Sequence, residues 1–380
     1  MKLLRSSYFA LIFLLCSFFF SCTNHAKKEN DKFNSNSTST IKYAKGFYTQ
    51  KLPEYTLLTV LNPWIKGAIF AKYYLVKESS VEVPNDGVKI LIPLQSIATA
   101  SVTHYEFLSL LDEVKSVTGI CQGDLVYNPT IRKGIQEGEI IDLGDAFHIN
   151  LEQVLKLRPS ALMMSGYNQN DPNAQRISQA GVSVIYNNEW METTLLGRAE
   201  WIKFVAAFYD KDKMADSIFQ TVENRYNEIK TLAANVKTKP NIMAGANFRG
   251  TWYMPGGKSF MGQLFTDAGS NYFYANDTTT GSLPLNVETV LNNFSKTEVW
   301  LNCNYTSLDN LLKADTKHAL FSPVKQKQVY NFNKRMLPSS ANDFWESAIA
   351  RPDLILSDVI AILHPELLPN YELFYAEKLK

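Results

Sequence analysis

The sequence has few of the residues that build disulfide, metal or redox sites. It contains 4 cysteines and 5 histidines among 380 residues, and no two histidines have the i, i+4 spacing of a helical metal site. Beyond the N-terminal region the cysteines are Cys121 and Cys303, which we predict to be buried free thiols in different lobes. No G-x-S-x-G motif and no Cys/His pairing occurs. We therefore predict neither a catalytic site nor a metal site made of protein ligands.

An excess of one charge is also lacking. The 38 Lys and Arg residues balance 37 Asp and Glu residues, for a net charge of +1. Nucleic-acid-binding proteins usually carry a basic surface, so we predict no nucleic-acid partner. The apolar share of 46% is that of a soluble globular protein, and the length allows two or three domains. The aromatic share of 12% is enough to fill cores and also to line a binding cleft.

A long apolar run occurs at the N-terminus, from Tyr8 to Phe20, after two basic residues. It is short for a membrane span and typical of a signal peptide. It ends at Cys22, in a sequence that resembles a bacterial lipoprotein signal with lipid on the cysteine thiol, and secretion without lipid is the alternative. Residues 23–40 are polar and typical of a flexible tether. We predict a signal peptide over 1–21 and a lipidated Cys22 with its tether over 22–40.

Predicted strands and helices alternate through most of the remaining chain. This pattern indicates parallel α/β layers. Its clearest part has helices at 150–158 and 172–180 and strands at 161–164 and 182–186. A longer helical region, with a break near Asp210, separates two such stretches. We predict an N-terminal α/β lobe over 41–193, an interlobe helical region over 194–237 and a C-terminal α/β lobe over 238–380.

One phrase occurs twice in the chain. Asn150-Leu151-Glu152 returns as Asn286-Val287-Glu288, each time before an amphipathic helix. Asparagine is a favourable N-cap, and a glutamate in the first turn interacts well with the helix dipole. The repeat indicates two similar lobes, each with one acidic side chain at a helix start, and chance recurrence of capping residues is the alternative.

Candidate ligand-binding residues follow the predicted strands, where open α/β sheets place their ligands. Aromatic side chains offer flat faces for a macrocycle or catechol, and arginine suits carboxylates. For each of these residues a purely structural role is the alternative. The predicted ligand-binding residues are Thr99, Ser101, His104, Tyr167, Trp190, Arg249, Trp252, Arg335 and Trp345.

The order of several short motifs resembles the helical-backbone (class III) substrate-binding proteins of ABC importers, which serve ferric siderophores, haem and cobalamin. The resemblance runs from about Ile41 to the end of the chain. It implies two Rossmann-like lobes joined by a long helical spine, with modest closure around the ligand. The matching motifs are Ile90-Leu91-Ile92-Pro93-Leu94, Val117-Thr118-Gly119-Ile120, Asn128-Pro129, Leu157-Arg158-Pro159, Trp252-Tyr253-Met254-Pro255-Gly256-Gly257, Asp267-Ala268-Gly269, Ala350-Arg351-Pro352-Asp353-Leu354 and Leu363-His364-Pro365-Glu366.

The resemblance also implies a function. Glu152 and Glu288 would each dock onto arginines of an ABC permease, since an Arg–carboxylate pair sets register. The cargo would be an iron chelate, haem or corrinoid, bound by a lipid-anchored monomer on the periplasmic side, with no cofactor and no bond broken. Two alternatives stay open: a ligand scavenger without a permease, and a metal-cluster or chelatase-like enzyme on the same fold. Residues 41–87 have no assigned role.

Overall fold

The computed structural model describes residues 41–380. The predicted signal peptide, the lipidated Cys22 and the tether lie outside these residues. The strands are β1 (Phe47–Lys51), β2 (Thr56–Leu61), β3 (Ile69–Val76), β4 (Val88–Leu91), β5 (Ile97–Thr99), β6 (Val117–Ile120), β7 (Ile141–Asp142), β8 (Ala161–Met164), β9 (Ser183–Tyr186), β10 (Asn241–Ala244), β11 (Asn247–Phe248), β12 (Thr251–Pro255), β13 (Asn271–Tyr272), β14 (Ser282–Leu285), β15 (Val299–Leu301), β16 (Tyr330–Asn331) and β17 (Glu377–Lys378). The helices are α1 (Tyr105–Leu110), α2 (Pro129–Glu137), α3 (Leu151–Leu157), α4 (Pro172–Gln179), α5 (Leu195–Glu200), α6 (Ile202–Ala207), α7 (Asp212–Ala234), α8 (Phe260–Asp267), α9 (Val287–Phe294), α10 (Leu308–Ala314), α11 (Ser322–Lys325), α12 (Asp343–Ser347) and α13 (Pro352–Leu363).

The first lobe contains a parallel sheet with strand order β7-β6-β5-β8-β9. All four residues of β8 are buried, as expected for a parallel strand that is covered on both faces. The strand order reverses between β5 and β8, where Ala98 lies opposite Leu162. Connections leave a reversal point in opposite directions and open a crevice at the carboxyl ends of the strands.

The second lobe repeats this plan with the parallel order β13-β10-β15. A bridge between Trp300 and Val329 continues the sheet towards the antiparallel pair β16-β17. A separate antiparallel sheet, β11-β12-β14, follows the carboxyl end of β10. This lobe therefore also has a strand-order reversal, between β10 and β15, and the prediction of two Rossmann-like lobes is confirmed.

Helices α5, α6 and α7 join the two lobes. Helix α7 has 23 residues and is about 35 Å long. Its Phe219 packs in the hydrophobic core of the first lobe, and its Tyr226 packs in that of the second. The Tyr226 hydroxyl donates a hydrogen bond of 2.6 Å to Asp267, which also pairs with Lys230 at 3.0 Å. One continuous helix therefore belongs to both cores.

Residues 41–96 form a further sheet, β1-β2-β3-β4, on the first lobe. The Tyr73 hydroxyl of β3 accepts a hydrogen bond of 2.8 Å from the main-chain N–H of Tyr186, at the end of β9. The buried Glu200 carboxylate of α5 accepts four hydrogen bonds from the three main-chain N–H groups of residues 42–44. The segment to which the sequence assigned no role is therefore an addition to the first lobe.

Two further properties of residues 41–380 bear on function. Cys121 and Cys303 are buried free thiols, as predicted. Across these 340 described residues, no helix combines the length and apolar character that a bilayer crossing requires. Nor do these residues bring three or more His, Cys, Asp or Glu side chains together in a way that would hold a metal ion.

Candidate functional site between the two lobes

A cavity of about 180 Å³ lies where the two lobes meet the interlobe helices. Its walls are mainly apolar and aromatic, with Arg198 as the charged member. Each part of the fold contributes. The lining residues are Thr103 and Trp190 from the first lobe, Leu195 and Arg198 from α5, and Phe260, Phe344, Trp345, Ala348, Ile349, Pro352 and Ile355 from the second lobe.

Arg198 brings a half-buried positive charge to this apolar cavity. Its guanidinium donates to the carbonyl oxygens of Glu192 at 3.0 Å and Trp190 at 2.6 Å. Its Cζ atom lies 3.7 Å from the centre of the Phe260 ring, a cation–π distance that links α5 to α8. Burial lowers the pKa of Arg198 to about 10, so the side chain keeps its charge at neutral pH. A cation held in this way can receive an anionic group of a ligand.

A buried polar layer lies behind this wall. Thr103 donates a hydrogen bond of 2.6 Å to Glu189, and His104 Nε2 lies 3.8 Å from the other Glu189 oxygen. Burial raises the pKa of Glu189 to about 7 and lowers that of His104 to about 3. Both side chains are fully buried, and α12 packs over the turn that carries His104. His104 therefore presents no surface to the cleft in this conformation, in contrast to its predicted ligand contact.

Aromatic residues form a rim beside the cavity. The ring centres of Phe147 and Tyr167 are 4.9 Å apart, and those of Tyr167 and Trp190 are 5.6 Å apart. Tyr167 is 44% exposed and follows β8, at the strand-order reversal. We call Phe147, Tyr167 and Trp190 the aromatic rim. The structure thus brings two predicted residues together and adds Phe147, which the sequence could have indicated as an aromatic just before the helix of Glu152.

The other exposed candidates are more dispersed. Trp345 is 55% exposed and lines the cavity. Arg335 donates to Asp343 at 2.5 Å and lies 5.3 Å from the ring of Tyr127, across the interface between the lobes. Arg249 is exposed at the turn between β11 and β12, with a positive φ of 51°. The Ser101 hydroxyl caps the short 3-10 turn that leads to His104.

Thr99 and Trp252 lie elsewhere, because both side chains are completely buried. The Trp252 indole donates a hydrogen bond of 2.9 Å to the carbonyl oxygen of Ala244. Its ring centre lies 5.3 Å from that of Trp300 in the second-lobe core. Successive side chains of a strand face opposite sides, so Tyr253 points outward instead and is 47% exposed. The predicted ligand contacts of Thr99 and Trp252 are corrected to core positions.

The two repeated phrases have the predicted capping geometry. The Asn150 side chain accepts a hydrogen bond of 3.1 Å from the main-chain N–H of Gln153. The Asn286 side chain accepts one of 2.7 Å from the main-chain N–H of Thr289. Glu152 and Glu288 follow these caps and are both exposed. Helices α3 and α9 each lead into a parallel strand of their own lobe, β8 and β15. Each helix therefore begins at the carboxyl edge of its sheet, which is the edge that borders the cleft.

Comparison with known proteins defines the family. Residues 97–336, well over half of the chain, match the model of the family described as periplasmic binding protein. The chain belongs to the periplasmic binding protein family. The class III resemblance of the sequence is thereby confirmed, and the family consists of binding proteins.

Individual relatives agree with this assignment. An uncharacterized lipoprotein of Methanocaldococcus jannaschii is 25% identical over 357 residues, which cover 87% of this periplasmic binding protein and 83% of the relative. The solved structure of Helicobacter pylori CeuE with Ni(II) bound has a TM-score of 0.58 at 18% identity and covers 78% of this chain and 92% of its own. That of S. aureus IsdE complexed with haem has a TM-score of 0.52 at 17% identity and covers 71% and 98%. These two structures share the fold.

Proposed function

We propose that this periplasmic binding protein captures an iron chelate, haem or corrinoid between its lobes and delivers it to an ABC permease. The observation that carries the proposal is the interlobe cavity, which is lined by the half-buried cation of Arg198 and by Trp190, a member of the aromatic rim. The names of two similar structures support the ligand class, since one holds haem and the other Ni(II).

The chemistry of the cleft suits a planar, conjugated ligand with acidic groups. Tyr167 and Trp190 offer ring faces for stacking, and Arg198 offers a charged donor for a carboxylate or a catecholate oxygen. The iron or cobalt would arrive inside the ligand. The action is capture and release, in which the protein binds and orients the ligand and breaks no bond.

Delivery would use the two exposed glutamates. Glu152 and Glu288 begin equivalent helices at the cleft-side edges of the two lobes. A permease with arginines at matching positions could bind both lobes at once, and charged pairs of this kind set register and association rate. A scavenger without a permease is the alternative, and it needs neither carboxylate.

Attachment to the outer face of a membrane completes the proposal. The lipid would be carried by Cys22, which lies outside the described residues, and a tether would follow it. The relative from Methanocaldococcus jannaschii named as a lipoprotein supports this assignment.

The two thiols of the lobes argue against the alternative of an enzyme that binds a metal cluster. Cys121 lies in a core of the first lobe and Cys303 in the core of the second. Burial raises the pKa of each thiol to about 12. A thiol must lose its proton to bind a metal, so both are poor ligands at neutral pH.

Titration calorimetry tests the ligand class directly. Hemin, cyanocobalamin and the ferric tris-complex of 2,3-dihydroxybenzoate would each be titrated into the purified protein. We expect one of the three to bind with a dissociation constant in the micromolar range or below, as for a specific small-molecule site. Failure of all three would contradict the proposed ligand class.

A further inference from the structure

The connection between β2 and β3 carries an exposed apolar tip, formed by residues 62–68. Its residue Ile65 is 47% exposed, and Ile69 just after it is 44% exposed. The Asn62 side chain accepts hydrogen bonds of 2.9 Å from the N–H groups of both Trp64 and Ile65. These bonds fix the shape of the turn, so the tip holds its apolar side chains in a defined position.

The tip lies at the cleft-side edge of the first-lobe sheet. The ring centre of Trp64 is 5.4 Å from that of Phe70, and Phe70 is 4.7 Å from Tyr186, the last residue of β9. Phe70 also packs against Gly166, which follows β8. A Cβ atom on Gly166 would come within 3.1 Å of the Phe70 ring and 3.0 Å of Asn188 Oδ1, so glycine permits this close contact.

Through Phe70, Gly166 connects the tip to the aromatic rim. The following residue is Tyr167, which contacts Phe147 on one side and Trp190 on the other. Phe70 and the aromatic rim therefore both adjoin the loop after β8, and Trp64 packs against the Phe70 ring. The tip belongs to residues 41–96 and lies outside the region that matches the family model.

The size of the cavity calls for a larger binding surface. Its volume of about 180 Å³ is below the roughly 300–1,000 Å³ that sites for small molecules usually have. A macrocycle or tris-catecholate complex must therefore extend out of the cavity, and the aromatic rim adjoins the cavity through Trp190. The apolar tip is connected to that rim through Phe70 and Gly166.

We propose that the β2–β3 tip is an additional part of the ligand site, in which Trp64 contacts the portion of a planar, conjugated ligand that extends out of the cavity. This inference rests on the proposed function. Its chemistry is ring stacking and apolar contact, which tolerates different ligand outlines better than hydrogen bonds do.

The test uses the full-length protein and two changes at the tip. One is Trp64→Ala, and the other replaces residues 62–68 by Asn-Gly, the dipeptide that best closes a two-residue hairpin. Leu91→Ala is the matched control, because Leu91 is a 53% exposed apolar residue of the same sheet. Circular dichroism and thermal unfolding verify that each variant folds. Calorimetry with hemin, cyanocobalamin and the ferric 2,3-dihydroxybenzoate complex then measures the affinity.

We expect Trp64→Ala to weaken the probe that binds the wild-type protein by about three- to tenfold, the equivalent of one aromatic contact. The Asn-Gly variant should lose at least as much, and Leu91→Ala should match the wild type. Unchanged affinity in both tip variants, while the wild type binds, overturns this inference alone. Absence of binding by the wild type overturns the proposed function and the inference together.

Two other roles for the tip give different results. If the tip contacts the permease, the variants keep their ligand affinity but deliver less ligand in a reconstituted transport assay. If it joins two copies of the chain, sedimentation velocity shows a wild-type dimer that Trp64→Ala dissociates. Either result, with ligand affinity unchanged, contradicts the proposal.

Discussion

The Glu346 carboxylate accepts a hydrogen bond of 2.8 Å from the main-chain N–H of Tyr127, and this bond joins the two lobes. The second carboxylate oxygen accepts a hydrogen bond of 3.0 Å from the main-chain N–H of Asn128, the residue that caps α2. Glu346 belongs to α12 of the second lobe, and Tyr127 and Asn128 belong to the first. The lobes are therefore linked by a buried polar contact as well as by the interlobe helices.

The stability of this contact should depend on pH. Burial, with a contribution from the nearby Asp343, raises the pKa of Glu346 from 4.5 to about 8, and burial with Asp343 raises that of Glu106 to about 7. A raised pKa means that the folded protein holds the proton more tightly than the unfolded chain does. The stabilisation from proton binding is complete below pH 4.5 and is lost as the pH rises through about 8.

We therefore expect Glu346→Gln to reduce the fall in the free energy of unfolding between acidic and mildly alkaline pH. Each pKa unit corresponds to about 1.4 kcal/mol, so the change in slope is measurable by urea titration. Glu137→Gln, on the exposed surface of α2, is the control and should keep the wild-type slope. Identical slopes for all three proteins would show that Glu346 does not titrate in this range.

Removing the charge of Arg198 should impair binding of acidic ligands. Arg198→Met keeps an unbranched apolar stem but removes the charge and the donors. We expect the affinity for hemin to fall by about tenfold or more, since hydrogen bonds to charged groups contribute about 1.5–3 kcal/mol. The control is Arg225→Met on the exposed face of α7. Equal hemin affinities in calorimetry would place the carboxylates of the ligand elsewhere.

Charge reversal at the repeated glutamates should separate delivery from binding. In Glu152→Lys with Glu288→Lys, both exposed carboxylates become cations, which repel the arginines expected on the permease. Ligand affinity should remain that of the wild type, whereas uptake in proteoliposomes should be lost. Glu137→Lys with Glu372→Lys provides a control with the same change in net charge. Normal uptake by the Glu152 and Glu288 double variant would favour the scavenger.

Removing the hydroxyl of Tyr226, which links α7 to the second lobe, should lower the stability of the protein. In Tyr226→Phe the buried Asp267 loses a 2.6 Å hydrogen bond and keeps its contact with Lys230. An unsatisfied buried acceptor costs about 1–3 kcal/mol, and we expect thermal unfolding to occur at a correspondingly lower temperature. Tyr253→Phe, at a 47% exposed position, should leave the unfolding temperature unchanged. A Tyr226→Phe protein as stable as the wild type would contradict this role.

The sequence predicted the regular elements of the two lobes well. Strand β8 has the predicted bounds, and α3 lies within its predicted range. These elements have strong local signals: an asparagine cap, apolar periodicity and a continuous apolar run. The break near Asp210 also has a local cause, since this residue has a positive φ of 56° between α6 and α7.

The candidate site was less predictable, because contacts between distant segments decide it. His104 is buried under α12, a helix far along the chain, and no local pattern indicates that contact. Side chains along β12 alternate between the core and the surface, and this alternation places Trp252 in the core and Tyr253 on the surface. Arg198 and Phe260 come from helices, whereas the sequence directed attention to loops after strands.

The helix α7 also has a consequence for how cargo leaves. Wide separation of the two halves would pull Phe219 or Tyr226 from its hydrophobic interior into water, at a cost of about 25 cal/mol for each Å² of apolar surface. Thermal motion alone will seldom supply enough energy for such a movement. We expect that binding to the permease is needed to open the lobes and release the ligand, while the free protein stays nearly rigid.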